Sequence, residues 1–208
     1  MIRNIVFDMG QVLIRFSPDL FMDREGIQDP EERKIVMNEL FLSAEWAQMD
    51  LGTLTEESAE KAILPRIPDG LREKTRHLLW HWADDREMID GMEELVGRLK
   101  EAGYGLYLLS NASTAQHQYW PRFPVSRLFD GKLISCDHHI VKPNPEIYRR
   151  LTETFGLRPE ECLFIDDAPA NVAAALGCGW DGIVFHGDAE ELKRKLASKG
   201  ILFDAPDR

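Results

Sequence analysis

Apolar residues along this chain follow two rhythms. Short apolar runs at 5–7, 104–109, 162–165 and 182–185, and Leu133-Ile134 within 132–135, read as buried strands. Beside them, apolar residues recur every three or four positions over 92–100, 145–155, 170–176 and 190–197, the spacing of one helix face. Gly103, Gly156 and Gly177 stand where the first three of these helices must stop. Strands alternating with helices predict a parallel sheet covered on both faces, because each crossover returns a helix to one side.

The run at 5–7 is followed by a different pattern. From about residue 17 to 87 the chain reads as helices only. Ser17-Pro18 and Asp29-Pro30 each pair a capping side chain with a proline in the first helical position. Ile35, Leu40, Leu42 and Trp46 predict one helix over 31–48, with a break at Asp50-Leu51-Gly52. Thr55-Glu56-Glu57 opens another helix, which Pro65 and Pro68 end; a last one spans 71–83 and carries Leu78, Leu79, Trp80 and Trp82. The expected fold is a three-layer, Rossmann-like α/β domain formed by residues 1–15 and 89–208. A small α-helical domain, 16–88, is inserted into it.

Composition narrows the function classes. The 208 residues are 44% hydrophobic and 29% charged, as in ordinary globular proteins, and the net charge is -11. Such acidity argues against nucleic-acid binding, which needs a basic face, and requires any phosphate site to be locally positive or to hold a metal. Cys136, Cys162 and Cys178 lack metal-ligand spacing and are expected as reduced thiols in tight places. Asp8 cuts the first apolar run short, unlike a signal peptide, and no later run has the length of a membrane span. The expectation is a cytoplasmic protein, monomer or homodimer, without nucleic-acid or membrane partners.

Four polar clusters stand in or near loops that follow buried strands: Asp8, Ser110-Asn111, Lys142-Pro143 and Asp166-Asp167. In a parallel sheet the first, second and fourth converge on one edge, the edge where ligands bind. Together they offer a carboxylate nucleophile, a hydroxyl, an ammonium and a carboxylate pair, a set that suits phosphoryl transfer. Singly each has a plainer reading as turn former, helix cap or solvated loop residue. Helix caps have no reason to recur as this particular set.

The order Phe-Asp-x-Gly, Leu-Ser-Asn, Lys-Pro-x-Pro-Glu-x-Tyr and Phe-Ile-Asp-Asp-x-x-x-Asn resembles the four motifs of the haloacid dehalogenase (HAD) superfamily over essentially the whole chain. Asp-x-Gly in the first motif and Trp120-Pro121 after the second are similar to the branch holding bacterial α-D-glucose-1-phosphate phosphatases. The resemblance implies that Asp8 attacks phosphorus, with Ser110, the main chain of Asn111 and Lys142 binding the phosphate. It also implies Mg²⁺ held by Asp8, Asp167 and the Gly10 carbonyl, with Asp166 acting through water and Asn171 hydrogen-bonding behind them. The implied activity is hydrolysis of a small phosphorylated metabolite, with a hexose 1-phosphate leading. The alternatives are a HAD dehalogenase and a catalytically weak HAD domain that binds a phosphometabolite or a protein.

One departure stands out. HAD phosphatases usually carry a proton-donating Asp two residues after the nucleophile, where this chain has Gly10. Such help is worth about 10²–10⁴-fold in rate. Its loss is borne best by an acidic leaving group such as an anomeric oxygen, is made good by a residue of the helical insertion, or leaves turnover slow. Trp46 and Asp50 are expected to face the site from that insertion and select the substrate, while helix-core packing is the default for Trp46, Trp80 and Trp82. His138-His139 supply a possible auxiliary acid against a plainer reading as an exposed loop pair. His77 and His81 have zinc-like spacing without the accompanying Glu, and are expected as ordinary histidines.

Overall fold

A computed structural model describes residues 1–82, 84 and 87–202. Strand β1 (Asn4–Phe7) lies at the centre of a five-stranded parallel sheet, with β2 (Gly105–Ser110) and β3 (Gly131–Ile134) on one side and β4 (Cys162–Asp166) and β5 (Asp181–Val184) on the other. The order is β3-β2-β1-β4-β5. Phe7 is level with Leu108 and with Ile165, so β1, β2 and β4 end within two residues of one another and bring Asp8, Ser110 and Asp166 to one edge.

Strand periodicity assigns the layers. Ile5, Phe7, Leu106, Leu108, Leu163 and Ile165 project to one face, against α6 (Met92–Glu101) and α11 (Ala189–Ser198). Val6, Leu109, Cys162 and Phe164 project to the other, against α9 (Pro145–Phe155) and α10 (Pro169–Gly177). Each strand alternates, yet both faces are buried, which explains runs without polar interruption.

Between β1 and α6 the chain forms α1 (Pro18–Arg24), α2 (Pro30–Val36), α3 (Ala44–Asp50), α4 (Glu56–Ile63) and α5 (Arg72–His81). The predicted caps are present: Ser17, Asp29 and Thr55 accept hydrogen bonds from the first turns of α1, α2 and α4. Phe21, Met22, Val36, Leu40, Ala59, Ile63, Leu78 and other apolar residues of this segment enclose a cluster of their own. Trp82 packs against both this cluster and that of the sheet. The expected end of the last helix, Ala83, and the final six residues of the expected α/β domain lie outside the described residues.

Three local expectations need correction. The single helix over 31–48 is two helices joined by a π turn, Met37–Phe41. The Ser43 hydroxyl donates to Leu40 O at 2.7 Å and accepts from Trp46 N at 3.1 Å, so it ends one helix and caps the next, leaving Leu42 70% exposed. Ser135 does not belong to β3 but opens the one-turn helix α8 (Ser135–His138), its hydroxyl taken up by other segments. Trp80 is not a core residue: it lies on the outer face of α5, and its indole N–H donates to Glu60 at 2.8 Å.

Candidate active site

Asp8 follows β1 directly, its N–H donating to Ile165 O at 2.9 Å, so the sheet itself fixes the root of the side chain. Lys142 arrives from the loop before α9. Its main chain is clamped by one side chain: Asn111 Oδ1 accepts from Lys142 N at 2.8 Å and Asn111 Nδ2 donates to Lys142 O at 3.0 Å. The side chain of Asn111 is thereby committed, and what this residue offers a ligand is its main chain. The ammonium of Lys142 sits 2.7 Å from both Asp8 Oδ1 and Asp166 Oδ2, and all three residues are buried.

Asp166 is saturated. Beside Lys142 it accepts from Ala168 N at 2.8 Å and from Asn171 Nδ2 at 3.0 and 3.1 Å. Its neighbour Asp167 is exposed, on the same side as Asp8, and carboxylate oxygens of Asp8, Asp166 and Asp167 lie within 4.8 Å of one another. Three carboxylates thus share one ammonium. Burial would lower the Lys142 pKa, but Asp8 and Asp166 outweigh it and keep the amine charged. Burial, against the pull of Lys142 and with the push of Asp166, holds the Asp8 carboxyl above the usual carboxylate range. The donor set is all oxygen and short of positive charge, which fits a hard divalent cation such as Mg²⁺.

Asp8 and Lys142 open into a cavity of about 290 Å³ between the sheet edge and the inserted helices, lined also by Gly10, Ser110, Asn111, Asp167 and Asn171. The rest of the lining is mainly apolar: Phe16, Trp46, Met49, Leu79 and Trp82 from the segment before α6, and Tyr119 from the one-turn helix α7 (Gln116–Tyr119) that follows β2. Both residues expected from the insertion, Trp46 and Asp50, are there. Gly10 has no left-handed backbone, and a Cβ there would meet only Phe16 Cβ, at 3.6 Å. Space and backbone therefore do not exclude a side chain at position 10.

The insertion is tied to the sheet edge at this cavity. Glu56, first residue of α4, accepts from the Ser113 hydroxyl at 2.7 Å and from Thr114 at 3.3 Å. The Ser135 hydroxyl donates to Asp50 O at 2.5 Å, and His139 Nδ1 lies 3.1 Å from Leu51 O. Sequence reasoning missed Glu56, Ser113 and Ser135. Neither His138 nor His139 lines the cavity, so the auxiliary-acid expectation fails. His77 and His81 stack on each other and face Glu25 and Asp84 as carboxylate-paired residues. The three cysteines are free. Among the described residues no helix is long and apolar enough to cross a membrane.

Comparison with known proteins agrees with this architecture. The family model for haloacid dehalogenase-like hydrolases matches residues 2–179. Flavin mononucleotide hydrolase 1 of Arabidopsis thaliana is 27% identical over 165 residues, which cover 77% of this chain and 64%, under two thirds, of that relative. D-ribitol-5-phosphate phosphatase of Bacteroides thetaiotaomicron is 23% identical over 191 residues, 87% of this chain and 90% of the relative. A HAD-family enzyme of Bacteroides thetaiotaomicron, solved with magnesium and inorganic phosphate, superposes with a TM-score of 0.71 at 23% identity, covering 92% of this chain and 99% of that one. The chain belongs to the haloacid dehalogenase-like hydrolase family.

Proposed function

We propose that this hydrolase is a Mg²⁺-dependent phosphatase that cleaves a small phosphorylated metabolite through an aspartyl-phosphate on Asp8. The observation that carries the proposal is the Asp8–Lys142–Asp166 arrangement at the joint end of β1 and β4, with both ammonium contacts at 2.7 Å. Lys142 keeps Asp8 oriented and neutralises charge next to the point of attack. Ser110 and the main chain of Asn111 hold phosphate oxygens at the end of β2. Asp8, Asp167 and the Gly10 carbonyl would hold Mg²⁺, with the saturated Asp166 and Asn171 behind them; when bound, the ion offsets the negative charge of the phosphoryl oxygens. Residues 16–88 act as a cap over the core of 1–15 and 89–208, excluding bulk water from the cavity. A dehalogenase would use the same nucleophile without a metal, so the surplus of carboxylates favours the phosphatase.

The finer proposal, a hexose 1-phosphate, rests on the acidity of its leaving oxygen opposite Gly10. The cavity adds a condition. Among the described lining residues Lys142 is the one Lys or Arg, and Asp8 and Asp166 already engage it. A substrate carrying a second anionic group meets Asp50 and Glu56 without a cation to offset it. The aromatic wall suits a leaving group with an apolar face, the C–H face of a sugar ring included. The test is phosphate release from a hexose 1-phosphate, p-nitrophenyl phosphate and phosphoglycolate, with and without Mg²⁺, by wild type and Asp8→Asn. The expected result is Mg²⁺-dependent release from the first two, little from phosphoglycolate, and none with Asp8→Asn. Release that needs neither Mg²⁺ nor Asp8 overturns the proposal.

A further inference from the structure

Gly10 leaves the leaving oxygen without a proton donor from the first motif, and the cavity contains few replacements. Asp166 is saturated by Lys142, Asn171 and Ala168. Glu56 is taken by Ser113 and Thr114. Asp167 belongs to the metal-holding set. The remaining carboxyl in the lining is that of Asp50.

We propose that Asp50 is the proton-transfer group of this site, reaching from the inserted helices to the oxygen that leaves phosphorus. The proposal rests on the phosphatase reading above. Three features place Asp50. It is the last residue of α3, and its main-chain carbonyl is held by the Ser135 hydroxyl at 2.5 Å. The next carbonyl, Leu51 O, is held by His139. Gly52, at φ +74°, packs so closely on Cys136 that a Cβ would overlap its carbonyl oxygen. The loop is therefore fixed through its backbone, while among the described residues the Asp50 carboxyl has neither a hydrogen bond nor an ion pair. A carboxyl kept for structure would have a partner; this one faces the cavity. The charged and titratable groups around it are Asp8 and Lys142 on the sheet side, Glu56 on α4 and Cys136 on α8. Burial first, and then the charge of Asp8, raise its pKa to about 7, the direction a proton donor at neutral pH needs.

The steps balance. As the bond from Asp8 Oδ to phosphorus forms, the bond to the leaving oxygen breaks, and that oxygen takes the Asp50 proton and departs as a neutral alcohol. The Asp50 carboxylate then takes a proton from the water that attacks phosphorus. The bond to Asp8 breaks, freeing inorganic phosphate and restoring both groups.

The experiment compares an alkyl phosphate, whose leaving group needs a proton, with p-nitrophenyl phosphate, whose leaving group does not. For Asp50→Asn we expect kcat/KM to fall about 10²–10⁴-fold on the alkyl ester and less than about tenfold on the aryl ester. Asp50→Ala, which removes the carboxyl altogether, should give the same split. Equal losses on the two esters, or a loss confined to KM, overturn the assignment and leave Asp50 a substrate-selecting residue. Aryl phosphate hydrolysis that Asp8→Asn abolishes keeps the phosphatase reading standing in that case. Failure of the wild type on both esters with Mg²⁺ overturns the two proposals together.

Discussion

Replacing Asp50 by asparagine is expected to stabilise the protein at neutral and alkaline pH and to leave its stability unchanged in acid. In the folded chain the Asp50 pKa is raised from 3.8 to about 7 by burial and by the Asp8 charge. Below pH 3.8 the carboxyl is protonated in both states and folding carries no penalty. As pH rises towards 7, the unfolded chain releases this proton while the folded one retains it, so stability falls; above 7 the loss is complete. One pKa unit is worth about 1.4 kcal/mol, which gives the wild type a penalty of up to about 4 kcal/mol at pH 8. Asparagine cannot ionise and escapes the penalty. Its amide also disturbs little, because the carboxyl it replaces has no hydrogen-bond partner among the described residues. Urea unfolding in EDTA from pH 4 to 8 measures the difference, read as a midpoint shift at constant slope. The account predicts a gain for Asp50→Asn that grows with pH and levels off near 8. A gain independent of pH, or a less stable variant at pH 8, refutes it. Stability given up at one carboxyl in this way is a mark of a group retained for chemistry.

Two further substitutions probe the frame around the site. Lys142→Ala leaves Asp8 and Asp166 facing each other in a buried space, at a cost of about 3–5 kcal/mol in urea unfolding and with loss of turnover; a variant as stable as the wild type would mean that the pair is not coupled to the fold. Gly52→Ala sets a Cβ against the Cys136 carbonyl at a backbone angle that favours glycine, costing about 1–3 kcal/mol. It also displaces Asp50, so steady-state kinetics should show kcat falling more than KM rises; unchanged kinetics would detach the loop from the reaction.

The fold was legible because its signals are local. A parallel strand buried on both faces reads as an apolar run, and two of the helices announce themselves with Ser17-Pro18 and Asp29-Pro30. Asp8, Ser110 and Asp166-Asp167 were legible because parallel strands carry the residues at their ends to one edge. Leu42 misled: it keeps the helical spacing of Ile35 and Trp46, yet Ser43 uses its hydroxyl twice and turns Leu42 outward. Glu56 and Ser135 were hidden for another reason. In sequence they look like a helix-opening acid and a strand-ending serine; their contacts are with Ser113, 57 residues away, and Asp50, 85 residues away. No local pattern encodes such a pairing. Gly10 could be seen to lack a proton, but only the folded chain shows the Asp50 carboxyl, unpaired among the described residues, in the cavity that Asp8 lines.

The central claim is that Asp8 becomes phosphorylated during turnover. Rapid acid quench of the enzyme turning over p-nitrophenyl phosphate, followed by borohydride reduction and peptide mass spectrometry, reads this directly, because reduction converts an aspartyl-phosphate to homoserine. The account predicts homoserine at position 8, dependent on substrate and Mg²⁺, and at no other aspartate. Rapid turnover with position 8 recovered only as aspartate would contradict it.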